Sequence, residues 1–554
     1  MILDGTQKGL AAAACSPRSF TPMTDRLVHA LVALVPIAVL TACGGSGSGN
    51  GAGLSLAGAG APPAVASLEK ACESFTATDL PHGATITKKA VRVAEGTLPE
   101  VCVVHGSIFS SSGSTIQWAV ELPASDAWNG KTITIGGGGF DGFIPTDNPR
   151  YQSMVGTSGN PYVKISSDSG HQTRGFEWAI DDVALRNHAF DANHFVLEVG
   201  TQIAINFYGR KPTRRYSFGH SNGGRSGLVA AQRYPRDYDG VIALEPAISQ
   251  QGHEANNVPM LRHFFEKPEN WLSPAKIALF AKAETRACDA LDGLADGIIG
   301  SIEACNYVPT ELLCQGADND ECLTAGQIES IRLIYTDRRV NVALADGVSG
   351  YPRFGRGGAA TSDWGNFMFG SSFEARDSFN YFVGDEAAKV VAQDTAVDYM
   401  RYDPTQYQAQ WTRLSNLIDG TNPDLSAFAG NGGKMLIWYG LADACVSLYR
   451  TAEYLDSVKA RMGASQVREF ARLITSPSIG HGLDWPGAGS IDLVAAMDDW
   501  VERGAAPDRL VASKFEPNST APVLQRPACE YPAFPRYDGS GDPAKASSFA
   551  CSAS

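Results

Sequence analysis

Positive charge is scarce in this chain. Lys and Arg number 45 against 59 Asp and Glu, a net charge of −14 over 554 residues. That balance excludes nucleic acid as the main partner, because phosphate backbones are held by basic surfaces. Histidine is also sparse, at 10 residues, and no pair stands at zinc-ligand spacing. No dinucleotide or phosphate-loop glycine pattern occurs. The apolar run Leu27 to Leu40 is broken by His29 and is too short to span a bilayer comfortably. What remains is a globular composition, 44% hydrophobic and 19% charged. Its length exceeds one simple core and suggests two domains, or one with a large insertion.

The first residues read as an address. Met23-Thr-Asp-Arg26 is a short basic-flanked start, which makes residues 1–22 an upstream extension. The apolar run ends in Leu40-Thr41-Ala42-Cys43-Gly44, the pattern of a bacterial lipoprotein signal with Cys43 as the lipidated residue. A plain secretory signal is the alternative, and either one exports the chain. The membrane is then met only through that N-terminal lipid, and the mature chain is expected as a monomer at the cell envelope. Residues 1–42 thus form extension and signal, and 43–67 a tether of Gly, Ala, Ser and Pro. Export makes cysteines candidates for disulfides. Local spacing suggests Cys72 with Cys102, Cys288 with Cys305, Cys314 with Cys322, and Cys529 with Cys551, although spacing does not prove connectivity. Cys445 is left over as a free thiol.

Along the chain, residues 68–248 alternate strands and helices. Apolar stretches at Ala90–Val93, Val101–Val104, Ile116–Leu122, Lys131–Ile135, Val163–Ser166, Arg215–Phe218 and Gly240–Leu244 read as strands, with helical spacing between Asp181 and Tyr208. Residues 249–426 lose the strands and gain helices, cysteines and aromatic loops, which suggests an inserted lid. Its aromatics from Phe354 to Phe382 are expected mostly to form its core, with some facing a pocket. The sheet resumes in 427–554 with Lys434–Tyr439. Arg472–Thr475 reads as the last strand, and Ile491–Val501 closes with a helix. The fold class is therefore α/β, a doubly wound, mostly parallel sheet with an insertion.

Gly219-His220-Ser221-Asn222-Gly223 stands between a strand and the helix Ser226–Tyr234. This is the G-x-S-x-G nucleophile elbow in the strand-turn-helix setting it requires. The alternative is a Gly-rich turn with a capping serine. Two further residues lie in loops after apolar strands: Asp443 after Lys434–Tyr439, and His481 after Arg472–Thr475. Ser221, Asp443, His481 is the chain order of α/β-hydrolase triads, with serine as nucleophile, histidine as base and aspartate as its orienting partner. The N–H of Asn222 at the helix start, and those of Gly138 and Gly139 in the run Gly136–Gly139, are candidate oxyanion donors. His171 reads as structural, and the His220 side chain is expected to diverge from the serine.

Tyr216–Arg225, Ala231–Pro235, Tyr238–Ile242, Trp128-Asn-Gly130, Gly138-Gly139-Phe140 and Asp424–Phe428 resemble the tannase/feruloyl esterase family, across residues 68–535. The resemblance implies an α/β-hydrolase with a lid, cleaving small aromatic esters of feruloyl, galloyl or terephthalate monoester type. An esterase for non-aromatic esters, or a non-catalytic calcium-stabilised surface lipoprotein, are the competing readings. Cys288–Gly300 resembles the family's calcium loop. It implies a structural Ca²⁺ on the carboxylates of Asp289, Asp292 and Asp296 and the carbonyls of Leu294 and Ile298. An Asp-Gly turn cluster is the alternative there. Most members join a cysteine before the nucleophile to one after the histidine. Here His220 and Gly482 stand at those places, so the histidine loop is either more mobile or pinned by other packing. Arg353, Arg356 and Arg376 are candidates to clamp a carboxylate on the substrate's acid part.

Overall fold

The computed structural model describes residues 67–173, 175–483, 486–517 and 519–553. The upstream extension, the signal with Cys43 and nearly all of the tether lie outside the described residues. Four disulfides form, on the pairs that local spacing suggested. Cys445 is free and buried. Among the described residues, no helix is long and apolar enough to cross a membrane.

The strands are β1 (Thr85–Arg92), β2 (Val101–Ser111), β3 (Ser114–Pro123), β4 (Lys131–Gly136), β5 (Val163–Ser167), β6 (Arg214–His220), β7 (Gly240–Leu244), β8 (Lys434–Gly440), β9 (Ala471–Ser476), β10 (Leu510–Phe515), β11 (Pro522–Glu530), β12 (Phe534–Tyr537) and β13 (Phe549–Ser552). The main sheet runs β1-β2-β3-β5-β4-β6-β7-β8-β9-β11-β10. From β5 to β9 neighbouring strands are parallel. The two edges are antiparallel. The central strands β5, β7 and β9 are buried at every residue, as parallel strands covered on both faces by helices must be. This explains their continuous apolar runs.

The sheet does not end at Arg472–Thr475. Beyond it, β11 pairs with β9 through Cys529 and Glu530, β10 pairs with β11, and β12 with β13 forms a small second sheet. Pro522 and Pro527 in β11 disguised the strand. Both are tolerated because β11 pairs along most of its length only with the edge strand β10.

Between β7 and β8 the chain leaves the sheet and builds the helices Gln250–Glu266, Pro274–Cys288, Ala325–Ile334, Phe379–Ala392 and Gln408–Ile418. Local chemistry starts them. Ser273 caps the Lys276 N–H with Pro274 at the first position, and Thr324 with Gln327 forms a reciprocal capping box. Phe264, Phe265, Phe280, Trp364, Phe369 and Trp411 form the core of this insertion. Insertion and sheet belong to one compact unit, Val65–Ser554. The insertion matters for function because it closes over the C-terminal ends of β4, β6, β8 and β9, where doubly wound sheets place their sites.

Candidate active site

Ser221 follows β6 with φ 59° and ψ −120°. A non-glycine residue there stores roughly 1–3 kcal/mol of strain. Surrounding glycines make the turn sterically feasible. A Cβ on Gly219 would lie 2.3 Å from the Gly223 carbonyl carbon, and one on Gly223 would lie 2.5 Å from the Gly137 oxygen. With no side chains between them, the Gly223 N–H donates to the Gly137 carbonyl at 2.8 Å. The elbow and the glycine run after β4 are thereby latched together.

The structure brings the three candidate residues into one chain of hydrogen bonds. Ser221 Oγ lies 3.0 Å from His481 Nε2, and His481 Nδ1 lies 2.9 Å from Asp443 Oδ2. Asp443 Oδ1 accepts the N–H groups of Cys445 and Val446, which fixes the carboxylate. All three side chains are buried. Burial holds the His481 imidazole down, to about 3, so it rests neutral with Nε2 able to accept a proton. Burial also pushes the Asp443 carboxyl up. The 2.9 Å contact between the two opposes both shifts.

Asn222 and Gly139 line the same cavity as Ser221, together with Phe140, Phe379, Val383 and residues of the helix Gln250–Glu266. The Asn222 N–H opens the first turn of its helix, where backbone donors have no intrahelical partner. Gly138 sits behind this wall. Its carbonyl accepts the Asp141 N–H, and the Tyr151 hydroxyl fills the space beside its Cα. Asn222 is oriented from both sides. Its amide donates to Asp141 at 2.6 Å, and its carbonyl accepts from Arg225 Nε at 2.6 Å. Arg225 is fully buried, with its remaining donors on the carbonyls of His188, Ala189 and Ile418. Burial raises the Asp141 carboxyl to about 6.

The histidine loop is held without a disulfide. Asp363, from the insertion and fully buried, accepts the N–H groups of Ala444 at 2.9 Å, His481 at 2.8 Å and Gly482 at 3.2 Å. One carboxylate thus ties the loop of Asp443 to the loop of His481. His220 leaves the serine, as expected, but turns onto the His481 ring. Its ring lies 4.5 Å from that of His481, and its Nε2 lies 2.9 Å from Glu245 Oε2. Glu245 Oε1 accepts the Gly440 N–H, and Oε2 lies 3.5 Å from His481 Nδ1. Phe367 packs edge-on to His481 at 5.3 Å. Sequence reasoning missed Asp141, Glu245 and Asp363. Glu245 carried a signal, a carboxylate directly after the apolar strand β7. His171 is structural: its ring stacks on Trp178 and reaches the carbonyls of Phe140 and Thr173.

The arginine candidates lie elsewhere. Arg353 pairs with Glu303, Arg356 with the buried Glu284, and Arg376 neighbours Tyr381. None lines the cavity at Ser221. The aspartates of Cys288–Gly300 occupy one loop. Asp289 accepts the N–H groups of Asp296, Gly297 and Ile298, Asp292 those of Leu294 and Gly300, and Asp296 pairs with Arg526. Burial pushes the Asp292 carboxyl up to about 7 and raises Asp296. Asp292 is buried, Asp289 half-buried and Asp296 exposed with Arg526 beside it; carboxylates are the oxygen donors a hard divalent cation takes, but these three are not drawn together on one point.

The family pattern described as tannase and feruloyl esterase matches residues 102–552. An uncharacterized esterase of Agrobacterium fabrum is 30% identical, over 82% of this chain and 85% of that protein. Mono(2-hydroxyethyl) terephthalate hydrolase of Piscinibacter sakaiensis is 29% identical, over 85% and 89%. The crystal structure of feruloyl esterase B from Aspergillus oryzae superposes with a TM-score of 0.76 at 23% identity, covering 88% of this chain and all of that one.

Two outcomes follow from the geometry. Asp363→Ala strands three buried N–H groups, and is expected to lower unfolding free energy by about 2–4 kcal/mol and to speed hydrogen exchange at His481 and Gly482. Urea unfolding and exchange mass spectrometry check this, and a loop as protected as in the wild type would contradict it. Labelling of Ser221 by phenylmethylsulfonyl fluoride needs a neutral His481. Its rate is expected to hold as pH falls through 6.5 and to fail only at least one unit lower, because burial depresses the imidazole. A titration midpoint at 6.5 or above would contradict this.

Proposed function

Because the chain belongs to the tannase and feruloyl esterase family and is a carboxylic ester hydrolase, we propose that it cleaves esters of aromatic or phenolic acids through an acyl-enzyme on Ser221. The observation that carries this reading is the hydrogen-bonded chain from Ser221 through His481 to Asp443, at the wall of a cavity shared with Gly139 and Asn222.

In this mechanism His481 Nε2 takes the Ser221 proton as Oγ attacks the ester carbonyl carbon. The oxyanion is received by the N–H groups of Asn222 and Gly139. His481 then protonates the leaving alcohol, and the acyl group stays on Oγ. Water enters, gives a proton to His481 and attacks the acyl carbon. The acid leaves and Oγ recovers its proton. Asp443 keeps Nδ1–H directed and stabilises the imidazolium of each step.

The aromatic side chains of Phe140 and Phe379 in the cavity lining suit an aryl acid. The enclosed space is small, about 40 Å³, because Phe379 and Val383 close over it. A ring is admitted in this reading by displacement of Phe379. The same size favours a second reading, hydrolysis of short-acyl esters. Ca²⁺ is assigned a structural role on Asp289, Asp292 and Asp296 with the carbonyls of Leu294 and Ile298. There it would offset the repulsion among the three carboxylates. The four disulfides fit a protein that folds in an oxidising, exported setting.

Methyl ferulate, methyl gallate, mono(2-hydroxyethyl) terephthalate and p-nitrophenyl acetate separate the readings. Turnover of an aromatic ester is expected, with Ser221→Ala lowering kcat by roughly 10⁴-fold or more. Turnover of the acetate alone would favour the short-acyl reading, and activity that survives the substitution would overturn the mechanism. A chelator is expected to lower the melting temperature and added Ca²⁺ to restore it, while Asp292→Asn melts at one temperature under both conditions. A wild-type melting temperature indifferent to Ca²⁺ would overturn the calcium assignment.

A further inference from the structure

The helix Gln250–Glu266 begins beside the nucleophile, and its first turn is the polar side of an otherwise aromatic cavity. Ser249, Gln250, His253 and Glu254 line that space opposite Phe379 and Val383. Ser249 and Glu254 are 2% exposed and Gln250 is 7% exposed. Such residues are rarely buried without a reason. Their hydrogen bonds are incomplete, and His253 Nε2 beside them is buried without a partner too. Gln250 Nε2 donates to Glu254 Oε1 at 3.0 Å, and Gln251 Nε2 donates to Glu254 Oε2 at 3.0 Å. The Glu254 carboxyl is thereby gripped between two amides. Gln250 Oε1 and Ser249 Oγ are left buried with no partner. An orphaned buried acceptor costs free energy, and a ligand that supplies the donor completes it.

We propose, building on the aromatic-ester reading above, that this turn forms a cation-free acceptor subsite. It selects esters whose acid part carries an uncharged hydroxyl and rejects those whose acid part carries a carboxylate.

The donor requirement follows from Gln250 Oε1, which only accepts, so the group it meets must bring a proton. Ser249 Oγ can accept from the ligand or donate to it. The charge requirement follows from the surroundings. No Lys or Arg lines the cavity, and the nearby Arg225 spends its donors on Asn222 and three carbonyls. The titratable side chains that line the space are His253, Glu254, Tyr351 and Cys445, and burial keeps the last two protonated. Burial keeps His253 neutral, with its imidazole held down to about 3, and pushes the Glu254 carboxyl well up. A carboxylate brought here would lose its water against amide, hydroxyl and carboxyl oxygens and gain no counter-ion. A phenolic hydroxyl would lose little and would donate to Gln250.

The test is kcat/KM of the full chain at pH 7 for methyl 4-hydroxybenzoate, methyl benzoate, monomethyl terephthalate and its uncharged counterpart dimethyl terephthalate. The hydroxybenzoate is expected to exceed the benzoate by about 10-fold and the charged terephthalate by about 100-fold. Dimethyl terephthalate should recover most of the latter loss, which assigns it to charge and not to size. In Gln250→Leu the hydroxyl preference should collapse to within about 3-fold. A folded Gln250→Leu protein that keeps the full preference would overturn the proposal. So would a wild type that cleaves monomethyl terephthalate as well as the hydroxybenzoate; this comparison needs no variant to fold. If p-nitrophenyl acetate is cleaved and none of the aryl esters is, the aromatic reading falls and the subsite with it. If aryl esters are cleaved without preference, only the subsite falls.

Discussion

One backbone hydrogen bond, from the Gly223 N–H to the Gly137 carbonyl, sets the distance on which the site depends. It forms only because Gly136, Gly219 and Gly223 have no Cβ at the point where β4, β6 and the elbow helix converge. An alanine at Gly219 or Gly223 would place a methyl group inside van der Waals contact with backbone, which has no rotamer through which to escape. The contact places the turn that carries Ser221 against the loop that carries Gly139, so the proposed nucleophile and the proposed oxyanion donors are positioned by one constraint. Ser221 keeps its left-handed backbone because the pieces on either side are already fixed. The Asn222 amide is then clamped between Asp141 and Arg225, which makes the first helical turn rigid where the reaction would develop charge.

The second constraint is electrostatic. Asp363, Asp443 and Glu245 lie close together in the interior, with His220 and His481 as their aromatic partners and no arginine or lysine among them. Such a group is stable only if its oxygens are saturated with N–H donors. Each is. Asp443 takes Cys445, Val446 and His481. Asp363 takes Ala444, His481 and Gly482. Glu245 takes Gly440 and His220. Satisfying the carboxylates is the same act as fixing the two loops, because the donors are the loops' own backbone. This is how the histidine loop dispenses with a covalent tie. Where the family resemblance implies a disulfide, the His220 ring packs on His481 and the insertion's Asp363 binds the N–H groups of His481 and Gly482.

Much of this was legible in the chain, and the limit has a physical cause. Strands buried on both faces write continuous apolar runs, so β4 to β9 could be read and the triad placed in the loops that follow them. The glycines around Ser221 could be read because only a close approach requires them. β10 and β11 could not, since edge strands are half-exposed and carry proline. Asp363 was invisible as a site residue for another reason. Its partners are backbone N–H groups far away in sequence, and any residue supplies an N–H, so no residue type marks the contact. His220 was read as a neighbour that turns away. It does turn away from the serine, but the sheet brings β7 alongside, and its Glu245 determines where the ring settles.

The helix Gln250–Glu266 shows what local pattern alone cannot decide. Gln250, Gln251, His253, Glu254, Asn256 and Asn257 are all buried, so a stretch that composition assigns to the surface lies in the centre of the molecule. A helix of that kind is less stable than an apolar one of the same shape unless its polar atoms are paired. Part of the debt is met internally. Asn256 reaches the Gly252 carbonyl, and its oxygen accepts the Val340 N–H; Asn257 accepts from Arg338. These contacts lie toward the insertion and join the helix to it. Polar atoms stay unpaired along the helix, Asn257 Nδ2 and Arg262 Nε among them, and those of Ser249, Gln250 and His253 belong to the lining of the cavity at Ser221. Open polarity at that end is what a binding turn requires. It places the selectivity of the enzyme on the first residues after β7, within the same loop-and-helix segment that carries Glu245.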